Sequence, residues 1–119
     1  MKQGRKISGG KYHRLRKKKF YEQKGNPREV SLKERKAKKL RGKGGNLKTV
    51  LLNDNKVNLV VKGKVQRAAI KNVLETPQNV FLARQNRLSK GAIIETSLGK
   101  AKITNRPSQE GCVNAVLFE

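Results

Sequence analysis

Hydrophobic residues are scattered over the first 46 positions and then fall into short alternating runs. Lys100-Ala101-Lys102-Ile103-Thr104 alternates polar and apolar, as a strand with one wet face does. Ala92, Ile94 and Leu98 recur at even spacing just before it, and Leu98-Gly99 sits where a hairpin turn belongs. Val57, Leu59 and Val61 form another period-two set behind the turn-prone Asn53-Asp54-Asn55. Lys62-Gly63-Lys64 turns the chain into a longer strand over Val65–Leu74, and Leu47–Leu52 and Val113–Phe118 complete six strands. Thr76-Pro77-Gln78-Asn79 and Arg106-Pro107-Ser108-Gln109-Glu110-Gly111 break the pattern as loops. Many short strands, frequent turns and no strong helix predict an all-β fold, a small six-stranded β-barrel-like domain. Closure would also remove edge strands that aggregate. No internal repeat recurs at a fixed period.

Apolar residues number 10 of 46 in residues 1–46 and 31 of 73 in residues 47–119. The first part cannot bury enough apolar surface to offset its chain entropy. It is expected to be a long, basic, largely extended N-terminal segment, disordered when free, in front of a barrel domain at 47–119. Ser31-Leu32-Lys33-Glu34 has the capping-box spacing, with good helix formers through Leu40. A helix over 31–40 and an extended segment both remain open there.

Charge changes the picture more than any motif. The 119 residues carry 30 Lys and Arg against eight Asp and Glu, a net of +22. Residues 1–46 hold 18 cations and three acids, a net of +15; residues 47–119 hold 12 and five, a net of +7. Such a charge repels itself unless a polyanion neutralises it. No apolar run approaches the ~18 residues of a spanning helix. The basic N-terminus is not followed by the apolar stretch of a signal peptide. Nucleic acid is therefore the expected partner, not a membrane. The single cysteine, Cys112, lies in an apolar run and is read as a small buried hydrophobe. It fits a reducing, cytosolic compartment.

Catalysis has little support. His13 is the only histidine, and it sits inside a basic run. A nucleophile–base pair would need it to reach Cys112 or a barrel serine. One Cys and one His make no zinc site, so neither a metal nor a cofactor is expected. Glu22, Glu29 and Glu34 are surrounded by cations, which suits internal charge balance better than acid–base work.

The candidate interface is basic and aromatic. Lys2, Arg5, Lys6, Lys11, Arg14, Arg16, Lys17, Lys18 and Lys19 crowd the first twenty residues with His13, interrupted by Ser8-Gly9-Gly10. Glycines there let the backbone approach a phosphate and bend. Tyr12, Phe20 and Tyr21 sit in or beside this cluster, where they offer faces for stacking on unpaired bases, with a solvated basic tail or a localisation signal as the alternative reading of the cluster. The second cluster is Arg41-Gly42-Lys43-Gly44-Gly45-Asn46 with Lys48. Its glycine spacing is not that of a nucleotide-hydrolase loop; a tight loop pressed on an RNA backbone suits it, with a flexible linker as the alternative. Arg67, Arg84, Arg87 and Arg106 are barrel-side candidates for extending the RNA face.

Four stretches of the chain are similar to a known family. They are Arg5-Lys6-Ile7-Ser8-Gly9-Gly10 with Arg16-Lys17-Lys18-Lys19 and Glu22; Arg41-Gly42-Lys43-Gly44-Gly45-Asn46-Leu47-Lys48; Thr76-Pro77 with Ala83-Arg84-Gln85-Asn86 and Lys90-Gly91-Ala92-Ile93-Ile94-Glu95-Thr96; and Thr104-Asn105-Arg106-Pro107-Ser108-Gln109-Glu110-Gly111 leading into Val113-Asn114-Ala115-Val116-Leu117. Together they resemble the archaeal and eukaryotic small-subunit ribosomal protein S8e family, in its short archaeal form. Ser8 stands where that family usually has threonine, and Glu22-Gln23-Lys24-Gly25 loosens its Glu-Leu-Gly. The resemblance implies a β-barrel-like domain with a basic extension running over small-subunit ribosomal RNA. It also implies neighbouring ribosomal proteins as partners and a cytoplasmic location in the small subunit; no homo-oligomer is expected.

The expected function is thus a non-catalytic constituent of the small subunit that orders ribosomal RNA by neutralising phosphates. A ribosome-assembly factor is the runner-up, because a biogenesis protein of related sequence uses a similar barrel; the long N-terminal region of that protein is missing here. A chromatin-type DNA binder rests on charge alone, with no recognition helix in view.

Overall fold

The computed structural model describes residues 4–13 and 15–118. Among these, nine strands form: β1 (Val30–Leu32), β2 (Lys36–Arg41), β3 (Leu47–Asp54), β4 (Lys56–Val61), β5 (Lys64–Glu75), β6 (Arg87–Leu88), β7 (Ile93–Thr96), β8 (Gly99–Ile103) and β9 (Asn114–Leu117). Two short helices, α1 (Val80–Arg84) and α2 (Pro107–Glu110), occupy or follow the two stretches expected as loops. Asn79 starts α1 by accepting the Phe81 backbone N–H, and Pro107 stands in the first turn of α2, where no N–H is needed.

The barrel is closed, in the order β4-β5-β7-β8-β9. β4 and β5 are joined by the two-residue turn Lys62-Gly63, which sets Val61 opposite Lys64. β5 runs for 12 residues and shifts register twice, between Ile70 and Asn72 and between Val73 and Glu75. Such bulges bend a strand, so one long strand serves both β4 and β7. Ser97-Leu98 turns β7 into β8, and β9 returns parallel to β4, pairing Leu59 with Ala115. The alternation read in the sequence points inward as expected: Val57, Leu59, Ile94, Ala101, Ile103 and Ala115 are all buried.

The barrel closes with five strands rather than six. The Leu47–Leu52 strand belongs instead to a second sheet of order β2-β3-β1-β6. β3 is central there, so both of its hydrogen-bonding edges are taken, by β2 antiparallel and by β1 parallel. Leu51, Val30 and Leu88 carry the second sheet into the same core as the barrel. At the corner between β3 and β4, the buried Asp54 accepts the backbone N–H groups of Asn55 (2.9 Å) and Lys56 (3.1 Å) through Oδ1.

No helix forms over 31–40; β1 and β2 lie there. β2 reads Lys-Ala-Lys-Lys-Leu-Arg and buries little, but its ladder to β3 is set by the backbone, with Ala37 opposite Leu51 and Arg41 opposite Leu47. As an edge strand studded with lysine it also resists pairing with a further strand. A division of the chain at 46/47 falls inside the β2–β3 hairpin. Residues 4–26 carry only local hydrogen bonds among the described residues, with an isolated Arg5–Lys11 bridge and a 3-10 turn at Phe20–Glu22.

Candidate nucleic-acid interface

The first basic cluster begins as a small hairpin. Lys6 donates its backbone N–H to Gly10 O at 2.9 Å, and Gly9 donates to Lys6 O at 2.9 Å. Arg5 Nη1 donates to Gly9 O at 3.1 Å, which ties the guanidinium to the turn. Lys6 Nζ lies 5.7 Å from the centre of the Tyr12 ring, and Lys19 Nζ 6.0 Å from that of Tyr21. These are cation–π distances. Lys11, His13, Lys17, Lys18 and Lys19 are exposed. Lys2 and Arg14 lie outside the described residues.

Arg16 is held differently. Its Nη1 and Nη2 donate to Glu22 Oε2 at 2.8 Å and Oε1 at 2.7 Å, a fork-on-fork pair. Lys19 N–H also donates to Glu22 Oε2, at 3.1 Å. Hydrogen bonding to Arg16, then to the Lys19 backbone, holds the Glu22 carboxyl below the ordinary carboxylate range. The same pair raises Arg16. Glu22 therefore balances charge within the cluster, and Arg16 meets any outside anion only in competition with it.

The second cluster is the loop of the β2–β3 hairpin. Gly42 donates to Asn46 O at 2.6 Å, and Asn46 Nδ2 donates to Lys43 O at 3.1 Å, so the Asn46 side chain closes the loop. Arg41, Lys43 and Lys48 stand exposed around it. β2 adds exposed cations that were not singled out in the sequence: Lys38 opposite Val50 and Lys39 opposite Thr49 project to opposite faces of the sheet. The signal was there in the run of cations from Lys33 to Lys43, but it reads as a solvated tail until a strand is known to pass through it.

The barrel-side arginines do not form one patch. Arg67 lies exposed on β5, opposite Asn58. Arg84 ends α1 beside Asn72 and Asn86. Arg106 and Arg87 line a common cleft. Arg87 is half-buried: Nε lies 3.3 Å from Glu29 Oε2, and Nη1 donates to Ser31 Oγ. Arg16–Glu22 and Glu29–Arg87 are the only ion pairs among the described residues.

All five aromatic side chains are exposed, Phe20 to 91%, and the core is built from Leu, Ile, Val and Ala alone. Aromatic rings normally bring the largest buried areas to a core, so rings left outside are free for other surfaces. Cys112 is half-buried rather than fully so. Among the described residues no three His, Cys, Asp or Glu side chains gather as a metal site, and no helix is long and apolar enough to cross a membrane.

Fold and surface define a strongly basic barrel protein whose cations, aromatics and glycine turns are displayed rather than packed. Residues 1–118 match the family model described as Ribosomal protein S8e. The chain is 45% identical over 117 residues to a small ribosomal subunit protein eS8 of Nanoarchaeum equitans, covering 97% of this chain and 92% of that one. The eS8 proteins of Methanocorpusculum labreanum and Staphylothermus marinus are each 43% identical and cover 94% and 92% of their own lengths. The chain belongs to the ribosomal protein S8e family, a family of structural ribosomal proteins and not of enzymes.

Proposed function

We propose that this protein is a structural constituent of the small ribosomal subunit in the cytoplasm, where it binds and orders small-subunit ribosomal RNA by neutralising its phosphates. One observation carries the reading: a net charge of +22 is met by only two ion pairs among the described residues. The remaining cations need an external polyanion. In this reading residues 1–46 are the RNA-binding extension, whose last strands complete the sheet of the barrel domain at 47–119. The part before Val30 takes its path from the RNA. Arg5, Lys6, Lys11, Lys17, Lys18 and Lys19 meet phosphates, Tyr12, Phe20 and Tyr21 stack on unpaired bases, and Arg41, Lys43 and Lys48 bring the hairpin loop to the backbone. Neighbouring ribosomal proteins are the other partners.

Affinity for small-subunit ribosomal RNA, measured over a range of salt, tests this. Each phosphate contact contributes a log–log slope of about −0.7 to −0.9. A slope equivalent to six or more contacts is expected, on the order of −5. A shallow slope, or ready displacement of the RNA by duplex DNA, would count against the proposal, as would absence of the chain from small subunits sedimented in moderate salt.

A further inference from the structure

A cleft of about 520 Å³ opens where Pro27–Val30, the segment Arg87–Lys90 and the start of α2 come together. Its lining carries Arg28, Arg87, Lys90 and Arg106 against one acid, Glu29, which is occupied by Arg87. Three cations from three separate segments are left facing one space. The floor is apolar, with Pro27 and the half-buried Leu82 lying over the buried Val30, Leu88 and Pro107. Gln78 and Gln109 add amide groups at the wall, and Gln78 Nε2 donates to Lys90 O at 3.1 Å, which braces the two loops. Ser89 Oγ is buried in this wall without a hydrogen-bond partner, the one such side-chain atom among the described residues. A dry, unpaired hydroxyl is a cost that a ligand with a matching polar edge removes once a rotation about the Ser89 Cα–Cβ bond turns Oγ toward the cleft.

We propose that the cleft holds a single unstacked nucleotide of RNA. Its phosphate lies against Arg28, Lys90 and Arg106, its base covers Pro27 and Leu82, and a polar edge of the base meets Ser89 Oγ once that hydroxyl has turned toward the cleft. The inference rests on the RNA-binding reading above and names one site within it. Size and lining select this ligand. A free phosphate would leave the apolar floor and most of the space empty, whereas clefts of roughly 300–1,000 Å³ with apolar walls and a few polar groups suit small organic molecules. Unpaired RNA bases are recognised in this way, splayed out of the stack and read along their edges.

The test titrates the full-length protein with each of the four ribonucleoside 5′-monophosphates, and separately with inorganic phosphate, while amide NMR shifts are followed. Saturable shifts centred on Ser89, Lys90 and Gln109 are expected from at least one nucleotide and not from phosphate at equal concentration. Ser108→Trp, which adds an indole to the lining of the cleft from a half-buried position, is expected to weaken that nucleotide at least tenfold, and Ser89→Ala at least threefold. Equal shifts with inorganic phosphate, shifts confined to residues 4–22, or nucleotide affinity untouched in both variants would overturn the proposal. Salt-sensitive binding of ribosomal RNA, measured in parallel, reports on the broader reading. If it persists while the cleft ignores nucleotides, only the cleft proposal falls.

Discussion

Arg16 and Glu22 grip each other through two parallel hydrogen bonds, 2.8 and 2.7 Å long, across six residues of the most basic part of the chain. The Lys19 backbone N–H adds a third bond to the same carboxylate. An acid surrounded by cations thus fixes the 3-10 turn at Phe20–Glu22, and that turn holds Lys19, Phe20 and Tyr21 in a set order on the surface. Of the cations beside it, Arg16 is the one whose charge is already answered.

Freeing Arg16 should make the protein a more salt-sensitive RNA binder. Glu22→Gln removes the carboxylate and keeps the shape, so the guanidinium becomes available to a phosphate. The slope of log affinity against log salt is expected to steepen by about one contact, roughly 0.7–0.9. An unchanged slope would show that Arg16 faces no phosphate even when released.

The pair also fixes a pH dependence. Glu22 titrates below the ordinary carboxylate range because the charged form is hydrogen-bonded. A lowered folded-state value means that its contribution to the turn is fully present above the unfolded-state value and is lost as pH falls through the folded one. Following the Glu22 side-chain carboxyl by NMR should show a low midpoint that moves up in Arg16→Met. Because the pair lies at the surface, where solvent screens it, global stability should hardly register the change.

Gly111 is pinned from two sides. Its φ of +74° favours glycine, and a Cβ built there would stand 2.9 Å from Thr49 Cγ2 of β3. Its carbonyl also accepts Arg35 Nη2, at 3.3 Å. Gly111→Ala should therefore destabilise by more than ~1 kcal/mol, the cost of the left-handed backbone alone, with the steric contact added. Chemical denaturation of the purified variant measures this. Thr49→Ser in the same background, which removes the offending methyl, should recover part of the loss.

Gly42 makes the opposite case. It has φ −96° and ψ −172°, which any residue adopts, and a Cβ there meets nothing closer than Asn46 O at 3.4 Å. Nothing inside the protein requires glycine at this position, in contrast to Gly44 with φ +67°. Gly42→Ala should leave stability within about 0.5 kcal/mol and yet weaken RNA binding severalfold if a phosphate backbone packs on the loop. Equal RNA affinity would show that the hairpin tip stays in water.

Six strands were legible because each alternates or is apolar enough to declare itself; Val57, Leu59, Ile94 and Ile103 point inward as the pattern required. β1, β2 and β6 were not. Val30–Leu32 and Arg87–Leu88 are only three and two residues long, too short for a period to show. Lys36–Arg41 is held by its ladder to β3 and not by buried side chains. For the same reason the sequence pattern implies a sixth barrel strand: without β1 and β2 in view, β3 has nowhere else to pair. The parallel pairings β1–β3 and β4–β9 join segments far apart in sequence, and local pattern carries no trace of them. In the candidate interface, positions of cations were plain from the start. Which of them are already engaged, as Arg16 and Arg87 are, depends on partners six and 58 residues away.

Where the chain is cut should separate RNA binding from folding. Residues 1–28 contain 11 Lys and Arg with one acid, and no strand among the described residues lies within them. Removing them should leave the denaturation midpoint nearly unchanged and lower both RNA affinity and its salt dependence. Removing residues 1–46 takes β1 and β2 as well. That strips β3 of its partners on both edges and deletes Val30, which is 1% exposed in the shared core. Losing the Val30 side chain alone, as in Val30→Ala, is expected to cost on the order of 2 kcal/mol, and the longer deletion should cost more, exposing the barrel to proteolysis. If both truncations fold equally well, the barrel stands without the second sheet and β1 and β2 serve the RNA alone. If the shorter one already unfolds, residues before Glu29 hold the body together in a way that their local hydrogen bonds do not show.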